Sequence, residues 1–553
     1  MIEYILFILK NKLSKFGFNQ KKELNNNLKN SFGKTKDTSF DFNLIGKYFR
    51  RKDNSDAYQV LSDKTCADLD FDDLYMFLDR TNSKIGQQYL YNKLRVITND
   101  DKQTKLDETI INELSKDSEL RFSIQKKLNS LKSRDSYFVT SLFQEELQKP
   151  PNWFFAIKLL SFASLLTLIL AFFNPIFFIV LIVLFCVNYV VHYWNKKNLF
   201  QYVNSIPQLL NLNNVAAHLF SVPLLKELKP NLSKSISLID KIKNRSYFFQ
   251  LETKLKGDAA IVFWLIFEIF KTLFLLEPLL LFGILRRLDS KRNETENIFK
   301  FVGHVDMLIS IASVRNGLET FCLPNISSNS HEIIANEISH PLIYNCQTNA
   351  INIQNKSILL TGSNMSGKTS FIRAIGLNII TGLTINTCFA KTFDFPLLRI
   401  FSAIRISDDL LNDKSYYFEE VLSVKKMISE SSSNKKNLFL LDELFKGTNT
   451  VERIAAGKAV LSALARNNNI VLVSTHDLEL TDMLSNEYEL YHFSETVDNN
   501  TVGFDYKLKE GKLKNRNAIR ILKINDYPND VVNEAMKISK ELDQHYLTTK
   551  TQL

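Results

Sequence analysis

Two apolar runs, almost free of charge, dominate the hydropathy pattern of this chain. Trp153 to Phe173 carries a single charge, Lys158, near its start, and Asn174-Pro175 ends it; Ile176 to Trp194 carries none. Each run is about 20 residues long, enough for a helix to cross a ~30 Å hydrocarbon core. Trp153, Phe154 and Phe155 mark the outer end of the first run, Tyr193 and Trp194 that of the second, as aromatics do at membrane–water interfaces. Both outer flanks are basic (Lys149 and Lys158; Lys196 and Lys197) and the two-residue tip is uncharged. This predicts a transmembrane helical hairpin over 151–196, with both ends of the chain in the cytoplasm. A soluble reading requires both helices to be wholly buried. A third apolar stretch, Ala259 to Leu285, is interrupted by Glu268, Lys271 and Glu277, and Pro278 is expected to kink it. Charge at bilayer depth is costly, so it reads as a helix buried in the protein body, with membrane entry left open.

Elsewhere the pattern changes twice. Met1 to Phe18 places Ile2, Ile5, Leu6, Leu9, Leu13 and Phe16 at helical spacing opposite Lys10, Lys12 and Lys15, a helix that either lies on an anionic membrane or packs on the protein. Residues 23–40 are rich in Asn and Lys and read as a linker. Helical periodicity covers 68–150 and resumes from Asn195 to Lys256, with breaks expected at Pro207, Pro223 and Pro230. Beyond the Ser/Asn-rich segment Ile326 to Glu332, short apolar strands alternate with helices, the mark of an α/β domain with a mainly parallel sheet. Strands are expected at 357–361, 399–406, 438–441 and 470–474, a β-hairpin from 488–494 and 502–508 around Asp498-Asn-Asn500, and a closing helix near 528–543. The organisation is thus an N-terminal helix and linker (1–40), an all-α domain in two parts (41–150 and 197–330) with the hairpin between them (151–196), and the α/β domain with its closing helix (331–545).

Composition sharpens this only a little. The 553 residues suit about three or four domains. The net charge of +10 and pI near 9.0 favour a nucleic-acid or anionic-membrane partner, although Lys and Asn are abundant even in plain loops. Cys66, Cys186, Cys322, Cys346 and Cys388 are scattered without metal-ligand spacing and read as free thiols in a reducing compartment, with no zinc site.

The chemistry is concentrated in residues 361–369, Thr-Gly-Ser-Asn-Met-Ser-Gly-Lys-Thr, which fill the pattern G-x-x-x-x-G-K-[ST] between an apolar strand and a helix at Ser370 to Ile380. In such a loop, backbone amides and a helix N-terminus hold phosphates, Lys368 reaches the β/γ-phosphates and Thr369 ligands Mg²⁺. The nucleotide-binding residues are therefore Gly362, Ser363, Asn364, Met365, Ser366, Gly367, Lys368, Thr369 and Ser370. Leu438-Phe-Leu-Leu-Asp442-Glu443 is an apolar strand ending in two carboxylates: Asp442 to support Mg²⁺, Glu443 to act as general base on the attacking water. A second strand ends in His476, a residue type that can donate to phosphate and register nucleotide state but that, taken alone, reads as an ordinary strand-end histidine. Ser415 opens a helix and Gly447, Thr448, Asn449 and Thr450 form a polar loop; both either act across a dimer interface or are helix caps.

In order and spacing these segments resemble the ATPase domain of MutS mismatch-repair proteins. The resemblance rests on the phosphate loop, Asp408-Asp409-Leu410, Lys414-Ser415 with Glu420, Asp442-Glu443 with Gly447-Thr-Asn-Thr450, and Ser474-Thr-His-Asp-Leu-Glu-Leu480. It extends to His340-Pro341-Leu342, to Val305 through Ala312 with Pro324, more weakly to Leu74 through Leu94, and to Arg516-Asn-Ala-Ile519 and Asp526-Tyr-Pro528. It implies an ABC-type ATPase fold joined to helical levers. It also implies a homodimer with two composite sites, in which Ser415 and the 447–450 loop act in trans and His476 is the switch histidine. DNA is the partner it implies; ATP and Mg²⁺ are the cofactors, with no other metal. Two departures stand out. Only about 65 residues precede the lever-like segment and none forms a Phe-x-Glu wedge, so mismatch reading is in doubt. The apolar hairpin is foreign to soluble MutS and resembles that of membrane-associated relatives. The leading expectation is a membrane-anchored, dimeric ATPase that binds DNA. The alternatives are a soluble or tethered repair factor for mismatched or branched DNA, and a membrane-remodelling ATPase with no DNA role.

Overall fold

The structure is a computed structural model. It describes residues 23–550 except 24, 243–257, 328–331, 355, 364, 406–415, 468, 498–501, 514–518, 520, 521, 523 and 526. The expected N-terminal helix therefore lies outside the described residues, as do Asn364, Asp408–Leu410, Lys414, Ser415, Asp498–Asn500, Arg516–Ala518 and Asp526. The chain forms two compact units, one from residues up to 54 with 78–93 and 100–318, the other from 55–77, 94–99 and 319 onward.

The first unit is helical. Residues 23–40, expected as a linker, hold a helical turn at 25–30 with Leu28 buried; beyond it the Gly33 amide donates to Ser313 Oγ at 2.9 Å and Lys36 pairs with Asp79 at 2.9 Å. The apolar runs form helices α1 (Phe154–Ala171) and α2 (Ile176–Phe220). Asn174 and Pro175 make the tip, the Asn174 side chain accepting from the Ile176 amide at 3.0 Å. The break expected at Pro207 does not occur: α2 runs through it for 45 residues. Proline removes one intrahelical hydrogen bond, but Ile206, Leu209, Leu210 and Leu212 are buried on either side, and their packing overrides local propensity. Pro223, as expected, is a boundary; it opens the short helix Pro223–Lys226.

The third apolar stretch is two helices, α3 (Asp258–Leu273) and α4 (Leu276–Asp289). The break falls at Leu275, which has a φ of 47°, rather than at Pro278; the proline sits in the first turn of α4, where its missing N–H costs nothing. Helix α5 (Arg292–Asn316) is long and apolar enough to cross a membrane, yet 17 of its 25 residues are buried. It is the unit's central helix, and its fully buried Asp306 accepts from the Asn82 and Ser83 amides, both at 2.8 Å.

The hairpin is built the other way round. Only 22% of α1 is buried and, within Ile176–Lys196, only Asn188, His192 and Asn195 are, while Phe155, Phe172 and Phe173 are 73%, 85% and 82% exposed. Its polar groups face inward: Asn188, buried, donates to Ser164 Oγ at 2.9 Å and to the Leu273 carbonyl of α3 at 2.7 Å. His192 and Lys196 both meet Glu268 of α3, at 3.2 and 3.0 Å, and Lys271 pairs with the same carboxylate at 2.5 Å. Helix α3 adds Ile266, Ile269 and Phe270 to the exposed apolar surface.

The second unit is an α/β domain. In chain order its main elements are β1 (Ser357–Thr361), α6 (Lys368–Ile385), β2 (Arg399–Ala403), α7 (Tyr416–Ser431), β3 (Asn437–Asp442), α8 (Thr450–Leu464), β4 (Ile470–Ser474), β5 (Tyr488–His492), β6 (Glu495–Val497), β7 (Val502–Phe504), β8 (Lys509–Glu510) and α9 (Asn529–Lys550). The main sheet has the order β8-β5-β1-β4-β3-β2, with every pair parallel except β8–β5. Strands β1, β3 and β4 are buried along nearly their whole length, as parallel strands covered on both faces must be. Residues 55–77 cover the β2 edge, where Gln59 exchanges hydrogen bonds of 2.7 and 2.8 Å with the backbone of Ile400 and Asp68 accepts from Ser402 Oγ at 2.7 Å. A second sheet runs Asn325–Ile326, Thr392–Phe395, Ile333–Ile338, Asn349–Ile353.

The expected hairpin starts later than its sequence pattern indicates. Strand β5 belongs to the main sheet, parallel to β1; the hairpin is β6 with β7, in register Glu495↔Phe504 to Val497↔Val502. Phe493 separates the two strands, its amide bonded to the Thr361 carbonyl at 3.0 Å and its ring buried against Phe371.

Candidate functional site

Parallel register sets the site. Ser474 stands opposite both Asp442 and Leu360, so β1, β3 and β4 end at one level and deliver their loops to a common crevice, the place where open α/β sheets bind ligands. The loop after β1 needs its glycines: Gly362 and Gly367 have φ values of 152° and 104°. A Cβ on Gly362 would stand 2.7 Å from the Phe493 carbonyl oxygen. Gly367 caps α6, and Lys368 is its first residue. The Lys368 ammonium donates to the carbonyls of Gly362 and Ser363, both at 2.9 Å, and lies 3.4 Å from His476 Nε2. Burial lowers its pKa, an effect opposed by Glu443 and Asp442. Beside the loop is a cavity of about 550 Å³, lined by Ser363, Met365–Ser370, Glu443, His340, Tyr344, Phe371, Phe493 and Tyr506. That volume is in the range of small-molecule and cofactor sites.

Asp442 and Glu443 diverge at the end of β3. Asp442 accepts from Thr369 Oγ1 at 2.7 Å and from the Ser474 hydroxyl. This hydroxyl–carboxylate pair fits Mg²⁺, which is held by one or two protein oxygens with phosphates and water rather than by a full protein cage. Glu443 has a φ of 52°, and its amide donates to the Ser474 carbonyl at 2.9 Å. Its carboxylate meets His476 Nε2 at 2.8 Å and the Lys446 ammonium. Burial alone would raise its pKa, but hydrogen bonds and charge from His476 and Lys446 hold it down to about 2. Next to His476, Asp477 receives a two-point bond from Arg453 at 2.9 and 2.7 Å.

Lys368, Thr369, Asp442, Glu443 and His476 therefore converge. Gly447–Thr450 does something different: Asn449 caps α8, accepting from the Glu452 amide at 3.0 Å, while Thr448 and Asn449 donate to the Glu452 carboxylate. Helix α7 begins at Tyr416, the residue after Ser415.

Sequence reasoning passed over several members. Glu495, 8% exposed in β6, accepts from Ser363 Oγ at 2.5 Å and so buttresses the phosphate loop from a hairpin more than a hundred residues away in sequence. No local pattern marks it. Tyr506 approaches Gly367 closely enough to be felt by any side chain there. His340 did have a signal, its place in His340-Pro341-Leu342. It is buried, its Nδ1 accepts from the Leu342 amide at 3.2 Å, and burial with the nearby Arg373 guanidinium lowers its pKa to about 4.

Residues 358–543 match the family signature of MutS domain V. The DNA mismatch repair protein MutS of Aquifex pyrophilus is 30% identical over 270 residues, covering 47% of this chain and 31% of that protein. The protein of the same name from Geobacillus sp. (strain WCH70) is 28% identical over 263 residues, 45% and 30% of the two chains. That from Clostridium botulinum (strain Okra / Type B1) is 29% identical over 260 residues, 44% and 27%. The match thus spans less than a third of each relative. The crevice and its order of segments thus lie within residues 358–543, the part of the chain that is similar to MutS domain V.

Proposed function

We propose that this chain is a Mg²⁺-dependent ATPase of the MutS type that works as a homodimer at the cytoplasmic membrane and binds DNA. The observation that carries the reading is the convergence of Thr369, Asp442, Glu443 and His476 around the Lys368 loop. Loop amides and Lys368 would hold the triphosphate. Mg²⁺, when bound through Thr369 and Asp442, would neutralise charge on the β- and γ-phosphates. Glu443 is ionised at neutral pH and would accept a hydrogen bond from the attacking water. While His476 and Lys446 hold it, it is a weak base; moving either toward the phosphate would raise its basicity. Ser415 and the 447–450 loop would complete the site from the partner subunit.

The outward apolar surface of α1 and α2 supports anchoring by the hairpin, with the nucleotide domain on the cytoplasmic side. DNA binding rests on the family and on the net charge of +10. The purified protein is expected to hydrolyse ATP only with Mg²⁺, and Lys368→Ala is expected to abolish nucleotide binding. Carbonate extraction should leave the protein in the membrane pellet; release into the supernatant removes the anchor from the reading. Stimulation of turnover by duplex or branched DNA supports the DNA role. Stimulation by liposomes alone supports the membrane-remodelling alternative, which the exposed surface of α1–α3 favours.

A further inference from the structure

The turn after Asp442 is unusual. Glu443 and Phe445, neither of them glycine, have φ values of 52° and 60°, backbone states that persist only where their surroundings impose them. One support is in front: the Glu443 amide is tied to the Ser474 carbonyl. The other comes from α7. Glu420, fully buried, accepts the Phe445 amide at 2.6 Å through Oε1. The Phe445 ring lies 6.1 Å from that of Tyr417, and Leu444 and Phe445 pack in one cluster with Val424 and Met427 of the same helix. Glu420 Oε2 has no hydrogen-bond partner among the described residues. A buried carboxylate is a costly way to satisfy one amide, and burial does push the Glu420 pKa upward. Its reach across to residue 445 is what the position requires.

We propose that Glu420 is a positioning residue: through the Phe445 amide it holds the 443–446 turn, and with it the Glu443 carboxylate, at the distance from the phosphate loop that hydrolysis needs. The proposal rests on the reading of Glu443 as general base. It adds that α7 controls the base. Glu420 lies one helical turn from the residue that opens α7, so a displacement of that end would be passed to the turn carrying Glu443.

The test is steady-state ATP hydrolysis by the full-length protein in detergent, with Glu443→Gln run alongside. A group misplaced by about 1 Å loses on the order of 10²-fold in rate. Glu420→Asp keeps the charge but retracts the acceptor, and is expected to lower kcat at least tenfold while KM for ATP moves less than about threefold. Glu420→Gln keeps the reach and is expected to recover kcat to within about threefold of the starting protein. This order, Gln above Asp, is the reverse of what a purely electrostatic role gives. Wild-type kcat in Glu420→Asp, or Gln below Asp, overturns the proposal while a dead Glu443→Gln leaves the base reading standing. A fall in nucleotide affinity equal to the fall in rate assigns Glu420 a merely structural role and also overturns it. Wild-type turnover by Glu443→Gln overturns both. Glu420→Asp and Glu420→Gln change one methylene or one atom type, so the comparison does not depend on the harsher Glu420→Ala folding.

Discussion

The hairpin and the nucleotide domain solve opposite packing problems. In the domain, Leu359, Phe439, Leu441 and Val473 are buried and the polar chemistry sits at the strand ends. In the hairpin, Asn188, Ser164 and His192 are buried and the phenylalanines face out. The difference teaches that the two regions hide opposite groups, which under the proposed anchoring means one chain written for two solvents. An apolar residue stabilises the domain by leaving water, and it suits the hairpin only where the outside is lipid.

Four measurements would break or sharpen that contrast. The largest effect is expected at the domain's polar rim, where Glu443→Gln should lower kcat by about 10²- to 10⁴-fold with little change in ATP affinity, read by single-turnover hydrolysis. In the domain core, Leu441→Ala should cost about 2–5 kcal/mol in denaturant unfolding, whereas Ile182→Ala on the exposed face of α2 should leave the stability of detergent-solubilised protein within about 0.5 kcal/mol. Equal costs at the two positions would mean that the hairpin surface is covered by protein.

Stability should also fall with acid because of His340. Its folded pKa of about 4 lies below its ordinary value of 6.5, so the unfolded chain takes up the proton first. The His340 contribution is complete above pH 6.5 and is lost as the pH falls toward 4, at up to about 1.4 kcal/mol per pH unit. His340→Asn should flatten that slope, as measured by chemical denaturation across the window. The smallest effect is expected at Asn449→Ala, where loss of the α8 cap should cost about 1 kcal/mol in thermal unfolding and barely alter the rate of one isolated site. A large loss of dimer-dependent turnover there would place the 447–450 loop across the interface.

What was legible in the sequence was what is local. The phosphate loop, the strand before it and the Asp442-Glu443 pair each occupy a few consecutive residues, and their spacing alone defines the parts. The hairpin was legible because its apolar runs lack any competing pattern. What escaped depends on tertiary packing. Pro207 reads as a break, but buried leucines on both sides keep α2 continuous. Residues 488–494 read as one arm of a hairpin, but 488–492 pair with β1 in the main sheet, Phe493 turns inward, and the hairpin begins only at Glu495. Leu28 seats a segment whose composition looks like a linker. Glu495 and Glu420 contribute through single hydrogen bonds to distant segments, and no periodicity announces such a bond.

The unbroken course of α2 has a mechanical consequence. At 1.5 Å per residue, its 45 residues make a strut of roughly 68 Å, running from the apolar tip at Asn174-Pro175 into the core of the helical unit. A strut without a hinge does not store displacement: a tilt imposed at one end is delivered, magnified by length, at the other. Pro207 is the point of greatest compliance along it. Whatever torque the protein exerts on the tip, or receives from it, is limited by the bending stiffness of that single turn.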